Sequence, residues 1–143
     1  MPKGTTFDNQ VLALIFNATA IANIADNAAS APLTDLYLSL HTASPAGASQ
    51  STNETAYTNY ARIPIVRTTS GWAVPSGGVT SNAALAQFAQ CGASGATLTH
   101  VGIGTASSGA GNLLYSGALS ASLVVSNGIQ PQFAASALTV TET

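Results

Sequence analysis

Residues 33–45, LTDLYLSLHTASP, carry the clearest alternation in the chain. Leu36, Leu38 and Leu40 alternate with Tyr37, Ser39 and His41, which places the leucines on one face of a strand and the polar groups on the other. Pro32 and Pro45 bracket the run, and neither continues a sheet interior. Upstream, Val11, Leu14, Ile15, Ala18, Ile21, Ala22 and Ala25 recur at helical spacing behind Asp8, a good N-cap, so the pattern predicts a helix over residues 8–26. Leu12, Phe16 and Ile24 lie outside that stripe, which predicts burial on two sides.

Downstream the pattern changes to short strands and turns. Residues 44–59 are rich in Pro, Gly, Ala, Ser, Thr and Asn and read as a long loop, a length that often marks a binding arm. Residues 60–68 alternate again, and Pro64 puts part of that strand at a sheet edge or a bulge. A short strand around Trp72 precedes a turn at 75–78, and residues 83–89 fit either a strand or a helical turn. Residues 97–104 and 113–119 read as a hairpin with its tip at 106–112. Residues 122–125 and 129–133 flank Asn127-Gly128, a type I′ hairpin signal, and 138–141 closes the chain. The reading is a mainly β fold: a single β-sandwich or barrel-like domain of short antiparallel strands over 33–142, with an N-terminal α-helix, all within residues 1–143.

Composition changes this picture mainly through what is missing. Charged residues are 6% of the chain, against about 25% in an ordinary soluble domain. Asp8, Asp26, Asp35, Glu54 and Glu142 face only Lys3, Arg62 and Arg67, for a net charge of −2. No basic patch is available to neutralise phosphates, which argues against nucleic acid as a partner. So weakly charged a surface suits a protein covered by neighbours. The apolar run at 11–16 is too short to span a bilayer, and no cleavable leader pattern precedes it, so no membrane is expected and synthesis in the cytoplasm is. Cys91 excludes an internal disulfide and reads as a small buried hydrophobe.

Candidate chemistry is sparse. His41 and His100 lack partners at metal-ligand spacing, so both read as hydrogen-bonded structural histidines. Residues 102–107, GIGTAS, begin like a dinucleotide fingerprint, but Ser107 replaces the third glycine and a returning strand follows instead of a helix. Glycines that let strands pack closely explain it better. No catalytic residue, metal or cofactor is expected, and the chain does not read as an enzyme.

Two stretches are candidate contacts. The loop is too polar for core and too long for a mere connector, which singles out Ala48, Ser49, Gln50, Ser51, Thr52 and Asn53. Leu12 and Phe16 form an i,i+4 ridge beside the main stripe, expected to lie partly in water in a monomer and to pack on a second copy or on the assembly that covers the chain. The alternative cover is the chain's own N-terminal segment with Phe7.

Several phrases together carry a family likeness: VLALIFNATAIANIADN, LTDLYLSLHTASPAG, TNETAYTNYARIPIVR, THVGIGTASSGAGNLLYSGAL and SNGIQPQFAASALTVTE. From about Val11 to Glu142 the chain resembles small proteins encoded by tailed bacteriophages and prophages, members of which are often labelled tail fibre proteins. MPKGTTFDN matches nothing in that pattern. The resemblance implies a β-rich capsid cement or decoration protein. Such a protein sits on the outer capsid surface of the virion as a dimer or trimer, bridges major capsid protein subunits, and is made in the host bacterial cytoplasm. It implies no catalytic residues. The alternative is a tail-associated fibre or receptor-binding component, although the repeats of a fibre shaft are absent.

Overall fold

The computed structural model of the chain describes residues 5–21, 32–45 and 49–142. In chain order the elements are α1 (Thr5–Phe16), β1 (Asp35–His41), β2 (Ile63–Val66), β3 (Val79–Ser81), β4 (Ala86–Gln87), β5 (Ala96–Gly104), β6 (Leu113–Val125), β7 (Gln132–Phe133) and β8 (Thr139–Thr141). The fold is mainly β with one N-terminal helix, as the hydrophobic pattern predicts. β1, β2, β5 and β6 form a sheet in the order β2-β1-β5-β6, while β3 pairs with β8 and β4 with β7. The chain divides into two compact units: Met1–Asp35 with Ile65–Ala86 and Phe133–Thr143, and Leu36–Pro64 with Gln87–Gln132.

In the first unit α1 starts before Asp8 and stops at Phe16, well short of the predicted residue 26. Ala18 adopts a φ of 53°, and the Asn17 and Thr19 N–H groups both donate to the Ala13 carbonyl at 3.0 Å. Arg67 then donates to the next two carbonyls, from Nη2 to Leu14 at 2.7 Å and from Nε to Ile15 at 2.6 Å. These bonds satisfy the helix's last carbonyls without a further turn. A cation at this end also complements the helix dipole. Ala22, Ala25 and the rest of the predicted helix lie outside the described residues.

The Leu12–Phe16 ridge is not left in water. Both side chains are 0% exposed, whereas Val11, Leu14 and Ile15 of the supposed core stripe are half-buried. The Phe16 ring meets Trp72 edge-on, with centroids 4.5 Å apart and planes at 60°. Trp72 therefore covers the ridge; Phe7 remains exposed. The two side chains contribute about 3–6 kcal/mol by burial, and they do so inside their own unit. Thr80, Leu138 and Val140, from the β3–β8 pair and the residue before β8, are buried in the same unit. Asn82 is buried with them and ties two loops together. Its Nδ2 donates to Ala84 and Ala134 carbonyls, and its Oδ1 accepts from the Leu138 N–H.

The second unit is organised on β1 and β5, which run antiparallel with Ser39 opposite Gly102 and Tyr37 opposite Gly104. Leu36, Leu38 and Leu40 are buried in this unit, as are Leu98, Val101, Ile103, Phe88 and Tyr57. Three aromatics that look scattered in sequence meet here: Tyr60 packs edge-on against Tyr57 and stacks on Phe88. Cys91 is buried and free.

Two predicted boundaries move in this unit. Residues 113–119 and 122–125 are one 13-residue strand, β6, rather than two. Asn127-Gly128 does turn the chain, with Ile129 N–H bonded to the Ser126 carbonyl, but only Gly128 has positive φ, so the turn is not type I′. Beyond this turn the chain leaves β6 and bonds to residues 88–91, through Cys91 N–H to the Ile129 carbonyl and Phe88 N–H to the Pro131 carbonyl.

Candidate interaction surface

The polar face of β1 is covered. Ser39 and His41 are buried along with the leucines. The cover is the predicted binding loop, which folds back on the sheet. Thr42 N–H donates to Asn53 and Thr55 N–H to Leu40, each at 2.9 Å, so the loop's return leg pairs with the end of β1.

His41 is locked beneath it. Nδ1 lies 2.9 Å from the Thr52 carbonyl, which only accepts, so Nδ1 carries the proton and Nε2 accepts from the Ser39 hydroxyl at 2.9 Å. Burial holds the imidazole below the ordinary histidine range, against the opposing pull of the Thr52 carbonyl and Glu54. The glycines of the GIGTAS stretch explain how this fits. A Cβ on Gly102 would stand 2.7 Å from both His41 Nε2 and Ser39 Oγ. A Cβ on Gly104 would collide with the Gln50 side chain, which donates to the Tyr37 carbonyl at 3.2 Å and accepts from Ala106 N–H at 3.0 Å.

A second lock joins the loop to the tip between β5 and β6. Arg62 is 7% exposed and grips Glu54 with two parallel bonds of 2.7 Å, from Nε and Nη2. Its other hydrogens reach the tip, from Nη1 to the Ala106 carbonyl at 2.8 Å and from Nη2 to Gly109 at 2.6 Å. Glu54 raises the guanidinium above its usual range. The Tyr60 hydroxyl donates to Glu54 Oε1 at 2.7 Å and accepts from the Leu40 N–H, and burial pushes its pKa up. No group of three or more His, Cys, Asp and Glu among the described residues is arranged to hold a metal ion. No described helix is long and apolar enough to cross a membrane.

The residues singled out from sequence therefore separate. Leu12 and Phe16 are interior to the first unit. Gln50 is interior to the second, against the expectation that it meets a neighbour. Ser49 and Thr52 are half-buried, with Ser49 bridged to Asn112 and its hydroxyl 2.9 Å from that of Ser51. Ser51 and Asn53 are exposed at the turn, and Asn53 Nδ2 donates to the Ser44 carbonyl. Ala48 lies outside the described residues. Of the loop residues singled out, Ser51 and Asn53 are therefore the exposed ones among those described.

Sequence reasoning missed an exposed strand at a sheet edge. β6 stands last in its sheet, and Ser116, Gly117, Ala118 and every residue from Ser120 to Val124 are exposed. Its sequence, LLYSGALSASLVV, has no charge and no proline. That run of uncharged residues was the available signal.

The site is thus a set of polar groups bonded within their own unit, beside a long uncharged strand at a sheet edge. The family model described as Podophage GP4 fiber I protein gp80 matches residues 5–141. The chain belongs to that family and is a phage structural protein, a component of the virion. Comparison with curated proteins gives no match.

Proposed function

We propose that this chain is a fibre component of a podophage virion, tail-associated, and that it works by contact rather than catalysis. The family match over residues 5–141 carries this reading. The engagement of His41, Arg62, Glu54 and Gln50 in bonds within their own unit supports a non-enzymatic role, because each of these groups already holds the fold in place. Its partners are then other virion proteins and further copies of itself, with no call on nucleic acid, membrane or cofactor.

The capsid cement reading, with major capsid protein as partner on the outer head surface, keeps one supporting observation. The chain has 6% charged residues, which suits a shell contact as well as a fibre contact. The family's fibre description favours the tail. Immunogold labelling of purified virions, paired with quantitative mass spectrometry of copy number, separates the two. Label confined to the tail at low copy number is expected. Label covering the head, at a copy number comparable with the major capsid protein, overturns the fibre reading.

A further inference from the structure

We propose that Asn127-Gly128 is a self-modification site, where the Gly128 backbone nitrogen displaces the Asn127 side-chain amide as ammonia, and that residues 90–91 hold it unreacted in the folded chain. Asparagine reacts in this way most readily when glycine follows, because no side chain then crowds the attacking nitrogen. Asn127 is the one asparagine in the sequence with glycine after it, and no aspartate precedes a glycine.

The pair stands in the turn that follows β6, and both residues are exposed. Ile129 N–H donates to the Ser126 carbonyl at 2.9 Å and Gly128 has a φ of 87°, the pattern of a type II turn with Asn127 and Gly128 at its centre. A Cβ built on Gly128 would meet nothing within 4 Å, so the glycine is there for its backbone angle and not for packing. Two bonds from the neighbouring stretch close on this same residue. Its N–H donates to the carbonyl of buried Cys91 at 2.9 Å, and its own carbonyl accepts from Gln90 Nε2 at 2.8 Å. The Cys91 bond engages the very proton that must leave before the nitrogen can attack. Cys91 N–H donates in turn to the Ile129 carbonyl at 2.8 Å, which pins the turn from its other end. The reacting side chain thus stands in water while the attacking nitrogen is tied down.

When the turn opens, the Gly128 nitrogen gives its proton to water or hydroxide and bonds to Asn127 Cγ. The Cγ–Nδ2 bond breaks, ammonia leaves, and a five-membered imide closes. Water then adds at one of the two imide carbonyls. Opening at Cγ gives aspartate; opening at the backbone carbonyl gives isoaspartate, with the main chain routed through the former side chain. Nothing is oxidised or reduced, and water is the only co-reactant. Either product takes the net charge from −2 to −3 (−2 − 1). Isoaspartate also adds one carbon to the main chain. That puts the Ser126–Ile129 bond, and the Cys91–Ile129 and Phe88–Pro131 bonds beyond it, out of step. A virion component is not replaced after assembly, so the change accumulates with the age of the particle. The step needs no partner and proceeds alike in a fibre or on a head.

The rate in the folded chain is set by the fraction of time the Gly128 N–H is free, a matter of local opening. One intramolecular hydrogen bond shifts such an equilibrium by about twofold to tenfold, so loss of the Gln90 amide should speed the reaction by about that factor.

The test is mass spectrometry of the full chain held at mildly alkaline pH well below its melting temperature. Peptide mapping locates the converted amide, and enzymatic methylation of isoaspartate gives a second readout. Folded wild type should react slowly at Asn127, and about tenfold faster or more when unfolded in urea. Gln90→Ala, at an exposed position, should react about twofold to tenfold faster than wild type when folded and at the wild-type rate in urea. Amide exchange at Gly128 should rise with it while exchange along β5 stays unchanged. Gln90→Glu, which keeps the size and loses the donor, should be faster as well. Gln87→Ala removes the exposed Gln87–Gln132 bond farther along the same pairing and should react like wild type. A folded wild type as fast as the unfolded chain, an unchanged folded rate in both Gln90 variants, equal acceleration by Gln87→Ala, or no conversion at Asn127 even in urea would overturn the proposal.

Discussion

Replacing Arg62 with Met removes the guanidinium while keeping much of the stem that packs in the second unit. Four hydrogen bonds of 2.6–2.8 Å disappear, two to Glu54 and two to carbonyls of the β5–β6 tip. Breaking a buried ion pair by deleting one partner costs about 3–5 kcal/mol, because the remaining charge loses its compensation. The Glu54 side chain is 16% exposed and Gly109 lies at the surface, so both recover some hydration. The lower end of that range, about 3 kcal/mol, is therefore expected. Urea unfolding followed by far-ultraviolet circular dichroism gives the loss of stability, and amide exchange reports on residues 105–112. Those amides should exchange faster, since Arg62 is what ties the tip to the loop. Adding Glu54→Leu should recover part of the loss, because an apolar pair of similar volume no longer strands a charge. A loss below about 1 kcal/mol with unchanged exchange at the tip would refute the claim that this pair anchors the hairpin.

Two further outcomes concern the same unit. His41 has its folded pKa depressed by burial, so the unfolded chain binds the proton more readily; stability should be full above the unfolded value of about 6.5 and fall as pH drops below it, until the folded pKa is passed. His41→Asn keeps a donor near Nδ1 and should flatten that part of a melting-temperature profile; an equal slope in both proteins would place the titration elsewhere. Gly104→Ala forces a methyl into Gln50 and to 2.5 Å from the Asn112 carbonyl oxygen, and should cost about 1–3 kcal/mol in chemical denaturation, whereas Gly117→Ala, with open space around its Cβ position, should cost little.

Local features of the fold were legible because they depend on local chemistry. The leucine alternation of residues 36–40 fixes a strand with an apolar face, and Gly109 and Gly111 adopt the positive φ that a tight tip demands. Covers and caps were not legible, because they come from far along the chain. Nothing near Phe16 announces that the helix stops there. Two of its last carbonyls, those of Leu14 and Ile15, are satisfied by Arg67, more than 50 residues away in sequence. The alternation of β1 likewise shows which side chains share a face, and it does not show whether that face is wet. Gln50 and Thr52 bury it only because Gly102 and Gly104, on the neighbouring strand, leave room for the His41 ring and the Gln50 amide. The ridge of Leu12 and Phe16 obeys the same logic: a helical wheel ranks faces against one another, but Trp72 decides which of them is the inside.

The reading of β6 failed for a related reason that bears on function. An alternating pattern identifies one strand only while its phase is constant. Three extra residues, an odd number, exchange the two faces between Ala118 and Leu123, so a continuous strand presents two out-of-phase halves and reads as two short strands with a break. Edge position is a property of topology and leaves no mark on alternation at all. It shows only in what an edge omits or includes, and here the two edges of one sheet differ sharply: Pro64 with flanking arginines on β2, thirteen neutral residues on β6. In a chain with three basic and five acidic residues, side-chain charge can direct few contacts. Two of the basic residues, Arg62 and Arg67, are already engaged in holding the hairpin tip and capping the helix. An uncharged strand at a sheet edge offers backbone hydrogen bonds and apolar side chains in place of charge.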